Sequence, residues 1–259
     1  MGGAGAAEGA GRLWVDAGDA GGAGPGGRLR VLRDELVGCR ACPRLVAWRE
    51  KVSCEKRAAF RDDDYWGRPV PGFGDPGASV MVVGLAPAAH GANRTGRMFT
   101  GDRAGNWLYR AMHKAGFANQ ALSRDRADGL ALTGAYVTAG VRCAPPGNRP
   151  TTRERDRCAP FLHREIDILW DRLHTFVALG GFAYTVVLKT LAARGMEIPR
   201  PRPRFAHGVE VDLGAVAVLA SYHPSQQNTF TGTLTEPMFD RVWQRAAERM
   251  ATVATKEGS

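Results

Sequence analysis

Residues 79–102 read SVMVVGLAPAAHGANRTGRMFTGD, and the first seven of them decide the fold. Ser79–Leu85 is a nearly continuous run of β-branched and aliphatic residues that stops at a Pro/Gly-containing loop. A strand that is apolar on both sides is buried on both faces, as parallel strands are when helices cover the sheet above and below. Three more runs of this kind follow, at Ala135–Val141, Thr175–Leu179 and Ala215–Ser221. The segments between them are long enough for helices, placed at Ala104–Ala115, Thr152–Leu173 and Phe182–Arg194. A last helix, Glu236–Met250, carries Met238, Val242 and Ala246 on one face. The expected fold is α/β: three layers, α/β/α, around a central, mainly parallel four-stranded sheet. Ligands of such sheets bind in the crevice beyond the carboxyl ends of the strands. Every motif below is judged by that rule.

Working outward, Leu29–Val37 has the spacing of a short helix, and residues 60–78 form a Pro/Gly/Asp-rich loop. Residues 1–27 contain 11 Gly and 7 Ala. We therefore expect a disordered tail over residues 1–28 and one folded domain over 29–255. The chain holds 35 Lys and Arg against 26 Asp and Glu, a formal charge of +9. The tail is slightly acidic, so the remaining 232 residues carry 34 basic against 23 acidic side chains, or +11. Such an excess points to a polyanionic partner, nucleic acid or an anionic membrane. Five cysteines in 259 residues are too sparse, and odd in number, for a disulfide scaffold. The longest apolar stretch, Val80–Ala89, is broken by Gly84 and Pro87 and is too short to span a bilayer. The N-terminus has neither the basic region nor the apolar core of a signal peptide. A reducing, cytosolic compartment is the expectation.

Cys39 and Cys42 form a C-x2-C pair, while Cys143 and Cys158 have fourteen residues between them and Cys54 stands apart. A C-x2-C turn aims two soft anionic donors at one point. A structural zinc site generally uses a second tight knuckle, which is missing; a [4Fe–4S] cluster tolerates wide spacing, and a set of metal-free core thiols is the plain alternative. The loop after the first run is neither a P-loop nor a G-x-G-x-x-G turn. Its Gly91, Gly96 and Gly101 let backbone approach a ligand closely. Asp102 precedes a helix and reads as an N-cap. Phe99 is core, or else a platform for a stacked base. Asn148, in VRCAPPGNRP (141–150), is a natural turn former. His223, in SYHPSQQNTFTG (221–232), stands at a strand end where such enzymes place chemistry, or else caps the strand. The uncharged stretch after it could wedge into a nucleic-acid groove.

Taken together, GLAPAAHGANRTGRMFTGD (84–102), the cysteine framework, VRCAPPGNRP and SYHPSQQNTFTG resemble the family 5 uracil-DNA glycosylases, relatives of the family 4 iron–sulfur enzymes. The resemblance runs from about Leu32 to Met250. It implies a monofunctional DNA repair enzyme that hydrolyses the N-glycosidic bond of uracil and other deaminated bases and leaves an abasic site. It further implies a [4Fe–4S] cluster on Cys39, Cys42, Cys143 and Cys158, with Cys54 outside the set. Asp102, Asn148 and His223 map to the catalytic positions. Gly84, Ala86, Ala88, His90, Phe99 and Ala139 map to substrate-binding ones, with Phe99 stacking on the flipped base. Leu85-Ala86-Pro87-Ala88 lacks the polar water-positioning residue of other families, a role the resemblance shifts to Asp102. Family 4 reads the edge of uracil with an asparagine where this chain has Ala139. A pocket with fewer specific donors rejects analogues weakly, so we expect a broad substrate range including hypoxanthine. The implied partner is DNA carrying deaminated bases, bound by a monomer in the cytoplasm and at the nucleoid, with no membrane. Arg149, Arg153, Arg155, Arg157, Arg200, Arg202 and Arg204 are candidate phosphate contacts, and residues 226–232 the candidate groove-inserting loop. The competing reading is a non-catalytic DNA-binding or redox-sensing iron–sulfur protein. A third is a glycosylase that remains covalently attached to its product, for which His207 in RPRPRFAHG is a poor match.

Overall fold

A computed structural model describes residues 24–257 of the chain, so the expected disorder of residues 1–23 lies outside the described residues. Six strands form one sheet: β1 (Phe73–Gly74), β2 (Val80–Gly84), β3 (Ala135–Ala139), β4 (Thr175–Leu179), β5 (Glu210–Asp212) and β6 (Ala217–Ser221), in the order β1-β3-β2-β4-β6-β5. The four inner strands run parallel, and every residue in them is buried. The two edge strands pair antiparallel. The expected four-stranded parallel sheet is therefore the centre of a six-stranded one. At two and three residues, the edge strands are too short to show an alternating pattern.

The inner strands distribute their side chains by the two-residue pleat. Val80 and Val82 face a core shared with Leu108 and Met112 of α4 (Arg103–Lys114) and Phe239 and Trp243 of α8 (Glu236–Glu257). Met81 and Val83 face Ile166 of α5 (Thr152–Leu169), Val187 of α6 (Gly181–Ala193) and Leu29 of α1 (Pro25–Val37). Helices thus cover both faces, giving the three layers expected. The first helix begins four residues earlier than the sequence suggested. Pro25 opens it, and Gly26 and Gly27 are buried in its first turn. There the leading N–H groups have no intrahelical partner in any case, so Pro costs nothing.

Helix α2 (Pro43–Glu55), starting from Cys42, was not anticipated. Its buried face is Leu45, Val46, Arg49 and Val52. The short helices α3 (Ala92–Thr95) and α7 (Gln226–Phe230) lie in the loops after β2 and β6. From β2 the chain passes first to β3 on one side and later to β4 on the other. This reversal opens a crevice at the carboxyl ends of β2, β4 and β6.

Candidate active site

Two loops meet at that crevice. The loop after β2 carries Phe99 and Asp102, and the segment after β6 carries His223. The rings of Phe99 and His223 lie 5.8 Å apart, inclined by 31°. Phe99 holds a left-handed backbone (φ +53°), unusual for an aromatic residue. Three contacts keep it there. Its ring packs on Gly84, where a Cβ would stand 2.6 Å from Cζ, and its carbonyl fills the space a side chain at Gly105 would need. Tyr109 Oη donates to the neighbouring Met98 carbonyl at 2.7 Å. Strain held by surrounding structure is characteristic of functional loops.

Asp102 serves as both an N-cap and a crevice residue. Oδ1 accepts from the Gly105 N–H at 2.9 Å, while Oδ2 lies directly over Gly91, near Ala88 Cβ. Burial pushes its carboxyl above the usual carboxylate range, against the backbone N–H groups of Gly105 and Ala104 and the Arg94 guanidinium. Burial alone pulls His223 down to about 4, so its imidazole is neutral at physiological pH. Neither ring nitrogen of His223 has a hydrogen-bond partner among the described residues. The backbone is fixed instead, with Asn228 Nδ2 donating to the His223 carbonyl at 2.9 Å. A neutral imidazole with an open N–H can donate to an acceptor that gains negative charge.

The remaining sequence-derived positions divide. Ala139 ends β3, buried and paired in register with Gly84. Ala86 and Ala88 are partly exposed in the same loop. His90 turns aside to Tyr65 (Nδ1 to Oη 2.9 Å). Its pKa is lowered by burial, then by Arg57 and Arg94. Asn148 is exposed at φ +56°, and no hydrogen bond joins it to Asp102 or His223. His207 is held by backbone, with Nδ1 accepting from Tyr222 N and Nε2 on the Met238 carbonyl. Of the arginines named, Arg155 pairs with Asp156, and Arg157 donates to the Ala41 carbonyl.

Cys39, Cys42, Cys143 and Cys158 line one small cavity, although they come from the α1–α2 turn, the segment after β3 and helix α5. Cys54 is exposed on α2. Burial pushes the thiols of Cys42, Cys143 and Cys158 up, Cys143 to about 11 and Cys158 to about 12. Two cations oppose this. Arg49, 2% exposed, donates Nη1 to Cys143 Sγ at 2.9 Å and Nη2 to the Cys39 carbonyl. Arg142 is ion-paired with buried Glu165, and its backbone N–H donates to Cys158 Sγ at 3.3 Å. No single-ion grouping of three His, Cys, Asp or Glu occurs among the described residues.

Sequence reading missed three supports of this site. Arg49 was detectable as a charge on the apolar stripe Leu45–Arg49–Val52. Gly105 and the buried Arg97–Asp128 pair (2.8 Å), which holds the loop through Thr100 and Ser123, gave no comparable signal.

The family model described as Uracil DNA glycosylase superfamily matches residues 71–247. The chain belongs to that superfamily. Within the uracil DNA glycosylase superfamily it is similar to the type-5 uracil-DNA glycosylase of Mycobacterium bovis, 54% identical over 89% of this chain and 85% of the relative. The type-5 uracil-DNA glycosylase of Thermus thermophilus is 49% identical over 82% of this chain and 93% of its own length. The type-4 uracil-DNA glycosylase of Sulfurisphaera tokodaii is more distant, at 26% over 76% and 74%. The match begins at Pro71, after Cys39 and Cys42, so the superfamily signature rests on the sheet and crevice.

Proposed function

We propose that this chain is a DNA repair glycosylase that hydrolyses the N-glycosidic bond of uracil, and of other deaminated bases including hypoxanthine, leaving an abasic site. The observation that carries this reading is the Phe99–His223 pair beside Asp102 at the strand ends. Breaking the bond builds negative charge on the departing base and positive charge on the sugar. His223 donates a hydrogen bond to the base as its charge grows, and backbone N–H groups of the loop after β2 assist. Asp102 orients the attacking water and offsets the charge on the sugar. Phe99 supports the extruded base by stacking. Ala139 and the Ala86–Ala88 stretch offer no side-chain donors or acceptors, which favours tolerance of several bases. Asn148 lies on the neighbouring loop as a residue that reaches the water or base once DNA is bound. The α7 loop, with Phe230 67% exposed and Arg103 stacked on its ring at 4.1 Å, is the element that enters the groove.

The four cysteines fit a [4Fe–4S] cluster. The supporting observation is Arg49, a buried guanidinium that among the described residues has no carboxylate ion pair and no partner for its Nε, and whose Nη1 rests on a sulfur. A buried cation requires a nearby anion, and metal-bound sulfur supplies it. Cys39 and Cys42 of the α1–α2 turn, Cys143 after β3 and Cys158 of α5 would hold it, and the group would tie these three segments together as a scaffold. Among the described residues no helix is long and apolar enough to cross a membrane, and we place the enzyme as a monomer in the cytoplasm, at the nucleoid when on DNA.

Duplex oligonucleotides carrying uracil or hypoxanthine, incubated with the protein and then cleaved with alkali, give strand breaks at the modified base if the reading is right. Intact strands from both duplexes would sink it. A band of protein covalently joined to DNA would favour a different chemistry.

A further inference from the structure

A second cavity, of about 290 Å³, opens between α1 and the loop that precedes β1. It takes Gly96 and Arg97 from the loop after β2 but none of Phe99, Asp102 and His223. Its walls are Trp66, Phe73, Val37 and Pro71, with Arg68 and Arg126 among the residues that line it. We propose that this cavity is a second nucleotide site, holding one unpaired nucleotide with its base against Trp66 and its phosphate on Arg68 and Arg126. The source of that chemistry is single-stranded DNA or a free mononucleotide.

Three observations carry this. First, the indole is a fixed wall. Its ring packs on Gly96, where a Cβ would come within 2.9 Å, and its Nε1 donates to the Pro69 carbonyl at 3.0 Å. A rigid aromatic face is what a base stacks on, whatever its sequence. Second, both guanidiniums stand over that ring, 5.9 Å (Arg68) and 5.1 Å (Arg126) from its centroid. Neither makes an ion pair or side-chain hydrogen bond among the described residues. Arg97, in the same wall, is by contrast fully engaged by Thr100, Ser123 and Asp128. A base entering the cavity takes the place of these guanidiniums over the indole, and their unpaired N–H edges then turn to its phosphate for bidentate binding. Asp34, the acidic residue of the lining, is paired with Arg33 at 2.9 Å and opposes an anion little. Third, size selects the ligand. The volume is at the small end of ligand pockets and suits a single nucleotide. A paired base is stacked within its duplex and cannot reach the indole, so the ligand is unpaired.

The test uses the full chain and reads binding rather than excision, so its failure is separate from failure of the glycosylase reading. The probes are thymidine 5′-monophosphate and a short fluorescein-labelled oligothymidylate. We expect tryptophan quenching by the monophosphate that is lost in Trp66→Phe. We also expect oligothymidylate binding to weaken about tenfold in Arg68→Ala/Arg126→Ala. A control, Arg172→Ala/Lys189→Ala, removes the same charge outside the cavity and should shift binding far less. Binding of the oligonucleotide without the monophosphate identifies DNA as the source. Equal weakening in the two double variants, or quenching that survives in Trp66→Phe, overturns the proposal.

Discussion

Arg49 Nη1 lies 2.9 Å from Cys143 Sγ, and the Arg49 carbonyl accepts from Asn93 Nδ2 of α3 at 3.4 Å. One buried residue therefore touches both the cysteine cavity and the loop that ends in Phe99 and Asp102. Replacing it by glutamine keeps a hydrogen-bond donor and removes the charge. Partners of metal-ligating side chains typically contribute ten- to hundredfold in metal affinity. With the proposed cluster in place, iron and acid-labile sulfide per protein after a chelator challenge should fall accordingly in Arg49→Gln, and less in Arg49→Lys. Retention equal to that of the unmodified protein would refute the pairing of this charge with metal-bound sulfur.

The crevice assignments separate by substitution. Losing a donor aimed at developing negative charge costs about 10²–10³ in kcat, and His223→Ala should show that loss with DNA binding intact. Gly91→Ala is a sharper probe of Asp102, because the new methyl would occupy the space of Oδ2. It leaves the carboxylate present but displaced. Single-turnover excision should drop in Gly91→Ala nearly as far as in Asp102→Asn. Normal turnover in Gly91→Ala would show that the position of Asp102 is not critical.

Phe99 offers a test in which stability and activity part company. A left-handed backbone costs a non-glycine residue about 1–2 kcal/mol. Phe99→Gly should thus be more stable than Phe99→Ala by about 1 kcal/mol in chemical denaturation, while both lose excision. Equal stability of the two would mean the backbone relaxes elsewhere.

Acid sensitivity follows from His223. Its pKa falls from 6.5 unfolded to about 4 folded. The unfolded chain therefore binds more protons between those values, and stability is full above pH 6.5 and lost as pH falls toward 4. The loss from this residue amounts to roughly 3 kcal/mol at most. Asp102, raised in the fold, acts with the opposite sign over its own window, losing its contribution as pH rises. Denaturation at several pH values should show a flatter acid limb in His223→Gln. An unchanged limb would place the acid sensitivity in other groups.

The four inner strands were legible because burial on both faces forces continuous apolar runs, and pattern carries that fact directly. The crevice followed, since parallel strands send their loops to one edge; the chain pattern left Phe99, Asp102 and His223 open to structural roles, and the resemblance of their motifs to a family gave them catalytic ones. The cysteines announced themselves by residue type. What the sequence alone could not decide depends on contacts between distant segments. Strands β1 and β5 exist only as partners for β3 and β6. The turn at 25–27 is helical because its glycines are buried against the rest of the fold. Asp102 proved to be cap and crevice residue together, since its two oxygens face different neighbours. Arg49 looks out of place on an apolar helix face until the Cys143 sulfur is brought beside it. Charge on a buried side chain is tolerable only with its partner in place, and only the tertiary structure supplies the partner.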